Sequence, residues 1–208
     1  MPQPHAFATF LAAAVVLAAT PGPGMLYVLA RSLRGGRGEG IASSLGTWVG
    51  GMVHVLAAAI GISALLATSA VAFSVVKYAG AAYLVYLGVR TLLSREPHQP
   101  KVKVLGSNWA AFRQGIVTEV LNPKTALFFL AFIPQFVDRA AGGVFWQFVL
   151  LGSISVALNT LADVIVALLA GPLGARMNHS PRFRRGSRVT AGCTMIALGA
   201  YAAVSEQK

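Results

Sequence analysis

Six apolar stretches account for most of this chain: residues 7–29, 41–67, 71–93, 112–136, 144–170 and 189–204. Each approaches the ~20 residues that an α-helix needs to cross about 30 Å of hydrocarbon. Of the 208 residues, 56% are hydrophobic and 11% charged, the latter under half of the ~25% usual in a soluble domain. The expected fold class is an all-α integral membrane protein with six transmembrane helices, residues 1–208 forming one transmembrane domain in the lipid bilayer.

A net charge of +11 would point a soluble protein toward nucleic acid, so its distribution decides the reading. Arg31, Arg34 and Arg37 fall in the first loop, and Arg90, Arg95, Lys101, Lys103 and Arg113 flank the third. Arg176, Arg182, Arg184, Arg185 and Arg188 fill the fifth. Only Lys77, Arg139 and Lys208 lie toward the other side. Basic residues collect on the cytoplasmic side, so the odd loops are expected inside and both termini outside, with no nucleic-acid partner. The first stretch lacks a positive leader and is too long for a cleaved signal, so it is expected to be retained. Cys193 is the only cysteine, which excludes an intramolecular disulfide, a CxxC pair and a thiolate metal cage. Neither a metal nor a cofactor is expected.

Residues 94–111, SREPHQPKVKVLGSNWAA, form the longest polar segment and read as a cytoplasmic linker. It separates a first three-helix half, 1–93, from a second, 112–208. An odd number of crossings per half gives the halves opposite orientations, the arithmetic of an inverted repeat. The first helix of each half is interrupted by proline at a matching place, GPGMLYVLA from Gly22 and NPKTALFFLA from Asn122. A proline inside a lipid-facing helix costs about 3 kcal/mol or more; beside a protein-lined cavity the freed backbone groups find partners. Half-helices starting at such breaks present amides and a positive dipole end, a seat for a carboxylate. Candidate substrate-binding residues are therefore Pro21, Gly22, Pro23 and Gly24 at one break, and Asn122, Pro123, Lys124 and Thr125 at the other. A packing kink is the bland alternative.

Charges at membrane depth are costly and call for a reason. Ser155, Asn159, Thr160, Asp163 and Ala167 share a small, polar helical face, which makes Asn159 a further binding candidate and Asp163 the leading proton-coupling one. Ser43, Thr47, Gly50, His54, Ala58 and Gly61 form a similar stripe that carries His54 inward, as a titrating group or as a packing histidine. Glu119 is the third coupling candidate unless it reaches water. Lys124 is expected either to pair with Glu119 or to meet a substrate carboxylate. Lys77 reads as a snorkelling lysine beside an interfacial Tyr78. Gly46 and Gly50, in GTWVG, suit close helix packing within the monomer or in a homodimer.

Together these segments resemble the LysE-type amino-acid exporters, in particular their homoserine and threonine resistance branch. The resemblance rests on TPGPGMLYVLARSLRGG from Thr20, GTWVGGMVH from Gly46, VKYAGAAYLVYLGVR from Val76, LNPKTALFFLAFIPQF from Leu121 and LADVIVALLA around Asp163. It implies a bacterial inner-membrane exporter of amino acids or close derivatives, homoserine-, threonine- or leucine-like, driven by protons; the inverted halves are separately expected to rock and expose the site alternately. A non-transporting scaffold and a passive small-solute channel are the rivals. An intramembrane enzyme is not expected: the chain has no H-E-x-x-H pair, no G-x-S-x-G elbow, and no evident aspartate partner for Asp163 at membrane depth.

Overall fold

The computed structural model describes residues 4–68, 70–93, 107–138, 140–178 and 181–204. Within them the chain is helical: α1 (Pro4–Ala19), α2 (Pro23–Thr68), α3 (Ala70–Leu93), α4 (Asn108–Val120), α5 (Pro123–Leu127), α6 (Val144–Asn178) and α7 (Pro181–Val204). Between α5 and α6 lie a π-helical turn, Phe128–Phe132, and a 3₁₀ turn, Ile133–Phe136. Pro23–Gly61 and Val144–Ala170 are long and apolar enough to cross a bilayer; α4 with its continuation makes a third span if the pair, bent by 45°, is counted as one.

The expected loop around Arg31, Arg34 and Arg37 is instead almost wholly helical. α2 breaks only at Gly36, whose φ of 77° and ψ of −176° define a backbone region that glycine alone occupies cheaply. There the chain doubles back. A Cβ built on Gly24 would stand 3.7 Å from Thr47 Cγ2, although 23 residues of straight helix would separate them by about 34 Å. Arg31 is correspondingly not a loop residue: it is fully buried, 3.4 Å from Glu39 across the turn, and it donates to the Ser107 carbonyl. Arg34 and Arg37 remain exposed.

Other boundaries shift as well. Ser107 accepts from the Ala110 amide and starts α4 at Asn108, so the end of the expected 94–111 linker is helical; residues 94–106 lie outside the described residues. α7 starts at Pro181, ahead of the expected 189. Lys77 does not snorkel: it is 6% exposed, with its ammonium 5.3 Å from the Tyr78 ring centre.

The helices meet along glycine seams. α2 packs against α4 and α6, and α3 against α7. A Cβ on Gly46 would collide with the Phe112 carbonyl, and one on Gly115 would stand 2.7 Å from that of Ser43. Gly88 and Gly192 meet in the same way between α3 and α7. The GTWVG spacing thus serves packing inside one chain. These seams interleave the two halves, since each joins a helix before residue 94 to one after it. An aromatic cluster closes the remaining end, with Phe132 and Phe136 at 5.4 and 6.1 Å from the Tyr201 ring of α7.

Candidate functional site

Two helix breaks meet at one place. The first falls at Thr20–Gly22, between α1 and α2. Pro23 opens α2, the position where a missing N–H costs nothing. The end of α1 leaves carbonyls that no residue of its own helix can satisfy. Lys124 supplies the missing donor from the other half of the chain: its Nζ donates to the Leu17 carbonyl at 2.9 Å and to that of Thr20 at 2.7 Å. Positive charge at a helix C-terminus is also favoured by the dipole. The Thr20 hydroxyl donates to the Val16 carbonyl at 2.6 Å and lies 3.0 Å from the hydroxyl of Thr194.

The second break, at Leu121–Asn122, is built on the same logic with different residues. Asn122 caps α5, its Oδ1 accepting from the Lys124 amide at 3.1 Å, and Pro123 occupies the first helical position. The Glu119 carbonyl, left free where α4 ends, accepts from the Asn122 amide at 3.0 Å and from His54 Nε2 at 2.9 Å. The Glu119 carboxylate turns back onto the break: Oε1 accepts from Thr125 Oγ1 at 2.6 Å and Oε2 from Asn122 Nδ2 at 3.1 Å. Beyond α5 the helix widens. Pro134 cannot donate and would clash with the carbonyl four residues earlier; the π turn ahead of it relieves that crowding, and Gln135 Nε2 donates to the Ala131 carbonyl at 2.7 Å.

Between the breaks lies a cavity, walled on its far side by α6. Ser155, Asn159, Thr160 and Asp163 face it, together with Thr47 from α2. The Asp163 side chain is 6% exposed and accepts from the Thr47 hydroxyl at 2.9 Å. Asn159 donates to the Ser155 carbonyl of its own helix. Phe128 and Phe129 give the cavity an apolar wall. The cavity volume is about 30 Å³, room for about two or three waters at roughly 10–15 Å³ each.

Of the residues singled out by sequence, Gly22, Gly24, Glu119, Asn122, Lys124, Thr125, Asn159 and Asp163 line this one cavity. Pro21, Pro23 and Pro123 shape the breaks without lining it. His54 is not among the lining residues; it stacks 6.3 Å from the Phe129 ring of the cavity wall and bonds the Glu119 carbonyl. At hydrogen-bond distance the Lys124 ammonium meets backbone carbonyls rather than Glu119. Sequence reasoning missed Thr20, the aromatic wall and the π turn. Pro134 followed by Gln135 was the available signal for the last of these, a further proline with a side-chain donor beside it.

Comparison with known proteins follows the same segments. The LysE type translocator family matches residues 15–206. An uncharacterised membrane protein of Vibrio cholerae is 30% identical over 204 residues, covering 97% of this chain and 98% of its own. One from Pseudomonas aeruginosa is 32% identical over 194 residues, 90% and 87% of the two chains. A leucine efflux protein of Salmonella typhimurium is 31% identical over 135 residues, 64% of each chain. No solved structure gives a significant match.

Proposed function

The chain belongs to the LysE-type translocator family, and from that premise we propose that it exports amino acids or close derivatives across the bacterial inner membrane by exchange with protons. The observation that carries this reading is the joint lining of one cavity by both helix breaks and Asp163. Interrupted helices at equivalent places in two halves are where secondary transporters bind cargo. The relative named as a leucine efflux protein supports small aliphatic amino acids as cargo.

In this reading the cargo's carboxylate sits at the starts of the half-helices, near Gly22, Gly24, Asn122 and Thr125. Its ammonium lies toward Asp163 and Asn159. A proton and an ammonium compete for the Asp163 carboxylate, so binding one releases the other, which is the basis of antiport. The cavity admits a few waters but not a leucine-sized zwitterion, so cargo binding requires it to widen. Gly24 beside Thr47, and the reversal at Gly36, support a turn between the first two of six crossings, while the basic residues of the odd loops argue for those loops inside and both termini outside. Because the seams interleave the halves, the moving boundary is placed between the α3–α7 pair and the α2–α4–α6 bundle, not between the first and second halves.

The test is an export screen: cells loaded with dipeptides covering the amino acids are compared, with and without the protein, for intracellular accumulation. Lower accumulation of a subset of amino acids supports export. Equal accumulation across the panel favours the scaffold. Lowering that persists when the proton gradient is collapsed favours a passive channel.

A further inference from the structure

The donors that this binding reading assigns to a cargo carboxylate are already taken by an acid of the chain itself. Glu119 spans the Thr125 hydroxyl and the Asn122 amide with its two oxygens. Its Oε2 also lies 2.5 Å from the point where a Cβ on Gly24 would stand. The carboxylate therefore touches the first turn of α2 while bonding both polar side chains of the second break. Lys124, the one cation lining the cavity among the described residues, spends its ammonium on the Leu17 and Thr20 carbonyls. What holds Glu119 is an amide and a hydroxyl, the neutral donors that suit a free α-carboxylate equally well.

The geometry points to Glu119 as an internal occupant of the carboxylate seat, which the α-carboxylate of an amino-acid cargo must displace to bind. This assignment rests on the amino-acid reading of the cavity. An empty carrier keeps the seat filled and its donors satisfied, so no buried polar group is orphaned between cycles. Affinity for an amino acid is then reduced by the cost of moving Glu119. A cargo without a carboxylate, such as an amino-acid amide, leaves Glu119 in place and places its ammonium between two acids, Glu119 and Asp163. Glu119 thus sets the discrimination between amino acids and their amides.

Proteoliposomes carrying wild type, Glu119→Gln or Glu119→Asp test this. Leucine uptake is measured with the other nineteen amino acids in parallel, along with inhibition by the amide of each amino acid transported. Glu119→Gln keeps the size of the side chain but removes the charge. The KM for the amino acid should fall by about tenfold, the scale of one charge-assisted hydrogen bond, while more amide is needed to inhibit. Glu119→Asp holds the charge one methylene short of its donors, so KM should fall while amide inhibition stays at its wild-type level; it also serves if the glutamine variant does not fold. An unchanged or raised KM in a folded variant overturns the assignment, as does an equal change in the same direction for acid and amide, the mark of a structural cap. Wild type that transports no amino acid fails in its own arm and takes the export reading and this assignment together.

Discussion

Lys124→Met probes the join between the two breaks. Methionine matches the stem of lysine but offers no donor, leaving the Leu17 and Thr20 carbonyls without the bonds of 2.9 and 2.7 Å that end α1. Hydrogen bonds to a charged group contribute about 1.5–3 kcal/mol each, so two of them amount to about 3–6 kcal/mol. Removing a buried ammonium returns part of that, because its desolvation cost disappears. The expected net loss is about 2–4 kcal/mol. It should be local before it is global: amide exchange in detergent should quicken around the α1–α2 break, with a lower midpoint of thermal unfolding. Lys124→Arg keeps a cation, and its unfolding midpoint should fall between the other two. Parental exchange and stability in Lys124→Met would refute the claim that this lysine ties one break to the other.

Gly46→Ala should destabilise the protein by about 1–3 kcal/mol, since its Cβ would meet the Phe112 carbonyl, whereas Gly61→Ala, with nothing within 4 Å, should be neutral or stabilising in the same thermal assay. Pro23→Ala and Pro123→Ala should keep both breaks and most transport activity, because each proline stands at the start of its helix; abolished uptake in a folded variant would show that the prolines themselves hold the breaks open. Cysteines placed at Gln3 and Gln207, with Cys193 replaced, should label with an impermeant maleimide in intact spheroplasts; protection of both would invert the topology.

Much of the site was legible because membrane depth makes each polar residue informative. Asp163, Asn159 and the two proline breaks stood out against an apolar background, and the helical period alone put Ser155, Asn159 and Asp163 on one face. The breaks were placed correctly but explained incompletely. Their cause is not proline interrupting a helix but proline opening a new one, with Asn122 and Lys124 satisfying the ends. The partners of Lys124 lie more than a hundred residues away in sequence, and no spacing rule reaches that far. The stripe carried His54 inward but could not say which neighbour it meets, and that neighbour is the end of α4. Arg31 was assigned to a loop because its charge outweighed its helical context. Only the fold brings Glu39 and Ser107 close enough to make its burial tolerable.

The central claim is that one cavity carries both cargo and coupling through Asp163, and Asp163→Asn tests it most directly. Asparagine keeps the shape and can still bond the Thr47 hydroxyl, but it can neither bind an exchangeable proton nor pair with an ammonium. Inside-out vesicles at matched expression are assayed for amino-acid uptake with and without an imposed pH gradient. Wild type should respond to the gradient, and Asp163→Asn, folded in the membrane, should lose at least about tenfold of the driven uptake, the equivalent of ~1.4 kcal/mol. Undiminished gradient-driven uptake by Asp163→Asn would contradict the coupling role and detach the proton from this cavity.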